Sequence, residues 1–167
     1  SETKVPEEDF LLRFFGKPCF PRRDLSTVTG VEKCGKTFFT SMLMACCADA
    51  GGQTLELERI REQPLKVLWY DTEQSRQSTK SILTDRVFRL THSQADEGLF
   101  AFNVRACTYQ ERMDYIITGI KAFQPDMVII DNISDLLSSI NDAEESQKLI
   151  DQLMQLSTAH NCNITKL

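Results

Sequence analysis

No apolar run in the 167 residues approaches the length of about 18 that a membrane-spanning helix needs, so no transmembrane segment is expected. The opening stretch Ser1 to Asp9 is polar and mixed in charge, unlike a signal peptide, which points to a cytoplasmic chain without membrane association. Histidine is scarce: His92 and His160 fall near helix ends and read as caps or surface groups rather than metal ligands. A basic excess is missing too. Nineteen Lys and Arg face 24 Asp and Glu, a net charge of −5, which argues against a uniformly basic coat for nucleic acid and against simple adhesion to anionic lipid. The six cysteines include no CxxC pair, so neither a disulfide framework nor a structural zinc site is expected, and the thiols read as reduced.

What is present suits one globular domain: 41% hydrophobic and 26% charged residues, with no repeat or low-complexity tract. The charge is uneven. Residues 1–80 carry 12 basic and 12 acidic side chains, whereas residues 81–167 carry 7 against 12.

Residues 1–23 read as an N-terminal approach segment, with an apolar cluster at Phe10 to Phe15 followed by Gly16-Lys17-Pro18 and Pro21. From residue 24 onward, short β-branched runs alternate with helix-period stretches, the pattern of an α/β domain with a mostly parallel sheet. Strands are expected at Leu25–Thr29, Val67–Tyr70, Leu99–Val104 and Met127–Ile130, the last apolar throughout and so covered on both faces. Helices are expected over Phe38–Ala50, ended by Gly51-Gly52; after an N-cap at Ser75, with Ile82, Leu83, Val87 and Leu90 on one face; around Met113–Phe123; and after a capping box at Asp142 and Glu145. Residues 53–65 read as a polar loop with a small excursion around Leu55 and Leu57. The chain stops at Ile164-Thr165-Lys166-Leu167, where a further strand begins, so the sheet is expected to be incomplete at its C-terminal strands.

Gly30-Val31-Glu32-Lys33-Cys34-Gly35-Lys36-Thr37 fits GxxxxGK[ST] without substitution, between an expected strand and an expected helix that opens at Phe38. Glycines let backbone N–H groups curl around phosphate oxygens, and the following helix aims its positive end at them. Residues 30–37 together with Phe38 are the candidate nucleotide-binding residues; Lys36 would bridge the β- and γ-phosphates of a nucleotide, and the Thr37 hydroxyl would ligate Mg²⁺. A phosphate-bound Mg²⁺ also wants a carboxylate at the end of a buried strand, and Asp131 follows Met127–Ile130; alone it reads equally as a strand-end turn residue. Hydrolysis needs a carboxylate that orients the attacking water. Glu73, in Tyr70-Asp71-Thr72-Glu73-Gln74 at the end of a strand beside the phosphate loop, is a candidate and Asp71 an alternative; the same segment reads as readily as an acidic approach to the next helix. Cys34, inside the loop, is expected to be alkylation-sensitive, because the loop amides and Lys36 favour its thiolate.

Together these residues resemble the RecA-like P-loop ATPase core. More closely, Asp24–Gly30, Val67–Gln74 and Val128–Leu136 are similar to the RepA-like AAA family ATPases of bacterial plasmids and mobile elements, which include ring-forming replicative helicases. The resemblance spans roughly residues 20–167. It implies ATP and Mg²⁺ as ligands, Lys36 and Thr37 on phosphate and metal, Asp131 as the water-mediated metal ligand, Glu73 as the catalytic glutamate, and a homo-oligomeric ring or filament in the full-length protein. Neither a sensor residue nor an arginine finger is identifiable in this chain.

Three functions are compatible with these residues. The first is an ATP-driven motor on DNA, although residues 132–147, which face DNA in many RecA-like proteins, hold Asp135, Asp142, Glu144 and Glu145 and no Lys or Arg. Contacts would then have to come from elsewhere, such as pooled Lys17, Arg22 and Arg23. The second is an ATP-dependent switch acting on a protein partner. The third, a small-molecule phosphoryl transferase, needs a lid of paired arginines, for which Arg59 and Arg61 are the nearest pair. A GTPase is disfavoured by the lack of an Asn-Lys-x-Asp segment.

Overall fold

Two buried runs, Val67–Asp71 (β6) and Met127–Asp131 (β8), lie side by side in parallel, and every residue of both is buried. The structure, a computed structural model, describes residues 9–29, 33–48, 53–87, 98–137 and 142–167. Gly30, Val31, Glu32, Gly51, Gly52, Leu90 and His92 lie outside the described residues, as do the side chains of Lys33 and Cys34.

The other strands of the main sheet are β3 (Asp24–Thr27), β7 (Leu99–Asn103) and β9 (Asn163–Lys166), giving the order β3-β9-β8-β6-β7, parallel throughout. The final residues of the chain thus form an internal strand, with Ile164 level with Leu25 on one side and Val128 on the other. This order corrects one expectation. Glu73 follows a strand that neighbours β8, with β8 and β9 between it and β3, so it does not sit on a strand beside the phosphate loop.

Alternation along β6 divides the core. Val67 and Trp69 face a cluster with Leu43, Cys46 and Cys47 of α1 (Lys33–Ala48). Leu68 and Tyr70 face one built with Ile116 and Ile120 of α3 (Tyr109–Phe123) and with Leu149 and Leu153 of α5 (Ala143–Ala159). Helix α2 (Arg76–Ser81) opens on the expected cap, where Ser75 Oγ accepts from the Ser78 amide, and continues as a π-helical turn over Ile82–Val87. A short α4 (Ile133–Leu137) follows β8. Asp142 caps α5 by accepting from the Glu144 and Glu145 amides, but the Glu145 carboxylate pairs with Lys148. The reciprocal capping box belongs instead to Thr108 and Glu111, at the start of α3.

The approach segment and the polar loop both turn out to contain sheet. β1 (Phe10–Phe14), β2 (Lys17–Pro21), β4 (Gln53–Thr54) and β5 (Leu57–Arg59) form a small antiparallel sheet in the order β2-β1-β5-β4. Leu11, Leu12 and Leu57 are buried there and join the cluster beneath α1. Phe15 and Gly16, both at positive φ, make the two-residue turn between β1 and β2.

Candidate functional site

The parallel register sets Asp71 level with Asp131, so β6 and β8 end flush and their following loops emerge together. Lys36 and Thr37, in the first turns of α1, meet these loops at the same edge, where ligands of open parallel sheets bind. Lys36, Thr37, Glu73, Gln74 and Asp131 line one recess of about 240 Å³. The recess brings together four of the expected site residues. Phe38 is 49% exposed and does not line it.

Lys36 Nζ lies 2.9 Å from Asp131 Oδ1. Burial of Asp131 raises its carboxyl pKa; Lys36 opposes this, and Asp71 and Glu73 add to it. The described residues contain no group of three His, Cys, Asp or Glu side chains suited to a metal ion. One threonine hydroxyl and one buried carboxylate are too few ligands for an all-protein Mg²⁺ cage, but they fit an ion held mainly by phosphates and water.

The two acidic candidates after β6 separate cleanly. Asp71 is fully buried, and its Oδ1 accepts from the amides of Glu73 (3.0 Å) and Gln74 (3.1 Å). Its Oδ2 accepts from Thr79 Oγ1 at 2.8 Å, which in turn accepts from Asn103 Nδ2. Asp71 is therefore occupied in building the turn that carries Glu73. The Glu73 carboxylate reaches the recess and accepts one hydrogen bond among the described residues, from Asn132 Nδ2 at 3.0 Å. The role of Asn132 is not legible in the sequence, since it depends on β6 and β8 being neighbours, and the signal available was its place directly after Asp131. The partners of Asp71 are local, but the sequence does not show which carboxylate of the segment turns inward.

The arginine pair forms no lid. Arg59 is 5% exposed and donates to the carbonyls of Cys46 and Cys47 at the C-terminal end of α1, and to those of Arg61 and Glu62. Arg61 donates to the Gln63 and Pro64 carbonyls and pairs with Asp126, just before β8. That end of β8 lies roughly 16 Å from the recess, at about 3.3 Å per strand residue. Arg22 pairs with Asp9 and with the same Asp126, so it belongs to the far edge as well.

The AAA_25 family model, an AAA domain, matches residues 12–166. The chain belongs to this AAA domain family. As an AAA domain it is a P-loop ATPase domain of RecA-like fold, and the match takes in nearly all of the β1–β2 hairpin, which the sequence pattern alone had placed outside the core. No curated protein matches it. Among solved structures the AAA domain is similar to a KaiC-like protein from Pyrococcus horikoshii OT3, at 13% identity and a TM-score of 0.61, over 88% of this chain and 61% of that one. That likeness is one of fold, and the chain spans about three-fifths of the archaeal protein's length. No helix among the described residues is long and apolar enough to cross a membrane.

Proposed function

We propose that this chain binds Mg²⁺-ATP and hydrolyses it, as part of a helicase or other DNA-processing ATPase of a plasmid or mobile element. The observation that carries the reading is the convergence of Lys36, Thr37, Glu73 and Asp131 on one recess, from one helix and two strand ends. Lys36 leaves Asp131 for the β- and γ-phosphates, while backbone amides at the start of α1 hold the phosphate chain. Thr37, directly, and Asp131, through water, would hold Mg²⁺, which would supply charge neutralisation on the transferred phosphoryl group. Glu73 accepts the proton of the water whose oxygen attacks the γ-phosphorus, and ADP departs as the leaving group. Assembly of the whole protein into a ring or filament would supply a further cation from a neighbour.

A second reading, an ATP-dependent switch on a protein partner, is favoured by the cation placement. Arg22, one of the three residues pooled for DNA contact, is tied to Asp9 and Asp126 at the edge away from the recess. ATP turnover with and without single-stranded DNA separates the two, alongside Lys36→Ala and Glu73→Gln. Lys36→Ala should abolish nucleotide binding, and Glu73→Gln should retain binding and lose turnover. DNA-stimulated turnover supports the motor; DNA-blind turnover supports the switch. Normal turnover in Glu73→Gln refutes the assignment of the base.

A further inference from the structure

Glutamate has three side-chain torsions, and a general base contributes only when its oxygen is held within hydrogen-bond reach of the proton it takes. What fixes the Glu73 carboxylate is therefore part of the site. Its Oε1 accepts from Asn132 Nδ2 at 3.0 Å, and its Oε2 has no hydrogen bond among the described residues. The Asn132 amide cannot be turned around. Its Oδ1 accepts from the Ser134 backbone N–H at 2.8 Å, a donor that the amide nitrogen could not satisfy, so Nδ2 must face Glu73. The Asn132 backbone is also anchored. Its N–H donates to Thr72 Oγ1 (2.9 Å), whose hydroxyl donates to Asp135 Oδ2 (2.6 Å), and its carbonyl accepts from the Asp135 N–H (3.2 Å).

We propose that Asn132 is the positioning residue for the hydrolytic glutamate: it holds one carboxylate oxygen of Glu73 and leaves the other to the water. The inference rests on the reading of Glu73 as the base. Asparagine suits the position for a stated reason. Serine lacks the second polar atom, and aspartate would set a carboxylate oxygen against Glu73 Oε1. Because Asn132 is bonded to Asp131, the same peptide unit links the proposed metal ligand to the group that aims the base. The β6–β8 register brings about this link, by setting residues 71 and 131 level.

The test compares the unmodified protein with Asn132→Ala, Asn132→Asp, Glu73→Gln and the Glu73→Gln/Asn132→Ala double variant. It measures kcat and KM for Mg²⁺-ATP and the Kd for a fluorescent ATP analogue. Both Asn132 variants should lose about 10- to 100-fold in kcat, with KM and Kd changed less than about twofold. The double variant should be no slower than Glu73→Gln alone, because both changes strike one unit. Asn132→Asp retains the acceptor for the Ser134 amide, so it keeps the test valid where the alanine variant unfolds. A readout independent of turnover is the NMR signal of the Asn132 side-chain amide, which should move in Glu73→Ala. Full turnover in both Asn132 variants, with Glu73→Gln inactive, overturns the positioning role and leaves the base assignment intact. Full turnover in Glu73→Gln overturns the base assignment itself. An Asn132 amide signal unmoved by Glu73→Ala also overturns the positioning role.

Discussion

Replacing Asp71 by alanine should cost the fold about 3–5 kcal/mol, whereas replacing it by asparagine should cost only about 1–2 kcal/mol. The difference follows from the three donors on this fully buried carboxylate: the Glu73 and Gln74 amides on Oδ1 and the Thr79 hydroxyl on Oδ2. A hydrogen bond to a charged group contributes about 1.5–3 kcal/mol, and the alanine variant removes all three, stranding the two amides. The total falls short of three full bonds because Thr79 Oγ1 has a second acceptor, the Ser75 carbonyl at 3.2 Å. In Asp71→Asn, Oδ1 still accepts from both amides. The new Nδ2 donates to Thr79 Oγ1, which can take it beside the Asn103 amide while turning its own proton to Ser75. Each of these groups then keeps a partner, and what is lost is the charge assistance and an acceptor for the second Nδ2 hydrogen. Urea denaturation with an unchanged m-value reads the two costs. Turnover gives the second readout: Asp71→Asn should stay within about tenfold of the unmodified protein, since loss of a true general base costs about 10²–10⁴-fold. Equal destabilisation by the two substitutions would refute the hydrogen-bond argument. A folded but silent Asp71→Asn would make Asp71 the base.

Gly119 on α3 faces the Tyr70 hydroxyl, which donates to the Tyr115 carbonyl at 2.8 Å, and a Cβ at residue 119 would collide with that oxygen. Gly119→Ala should therefore cost about 1–3 kcal/mol in urea, and less in a Tyr70→Phe background; the same cost in both would refute the clash. Burial pushes the thiols of Cys19 and Cys162 up to about 11, so at pH 8 only about one molecule in a thousand carries either thiolate. Mass spectrometry after brief iodoacetamide treatment should find Cys34 labelled ahead of both and protected by ATP. Labelling of Cys34 unaffected by saturating ATP would refute its place in the phosphate loop.

Legibility in the sequence tracks how local each interaction is. The phosphate loop reads directly because eight consecutive residues carry it, and β6 and β8 read because strands covered on both faces need unbroken apolar runs. The small sheet does not read. β4 has two residues and β5 three, too short for alternation to register, and Leu55 between them takes a left-handed turn without glycine. Pro18 and Pro21 suggest an approach segment, yet β2 is an edge strand, where a residue without an N–H is tolerated. Asn132 is invisible as a support because its partner Glu73 becomes a neighbour only through strand order and register. Asp71 has local partners, yet nothing in the segment marks it rather than Glu73 as the carboxylate that turns inward.

The Arg59 side chain has a consequence for how the protein can be cut. Helix α1 presents its positive end to the proposed phosphate site, and the carbonyls at its other end are gripped by a guanidinium carried on β5. β5 is held in turn by β1, with Leu12 level with Arg59. A fragment begun at residue 24 would retain every residue of the phosphate loop and still lose β1, exposing the flank of β5 and loosening the anchor at the far end of the nucleotide-binding helix. The natural place to begin a fragment is therefore ahead of residue 10, and the hairpin belongs to the mechanical frame of the proposed nucleotide site although none of its atoms lines the recess.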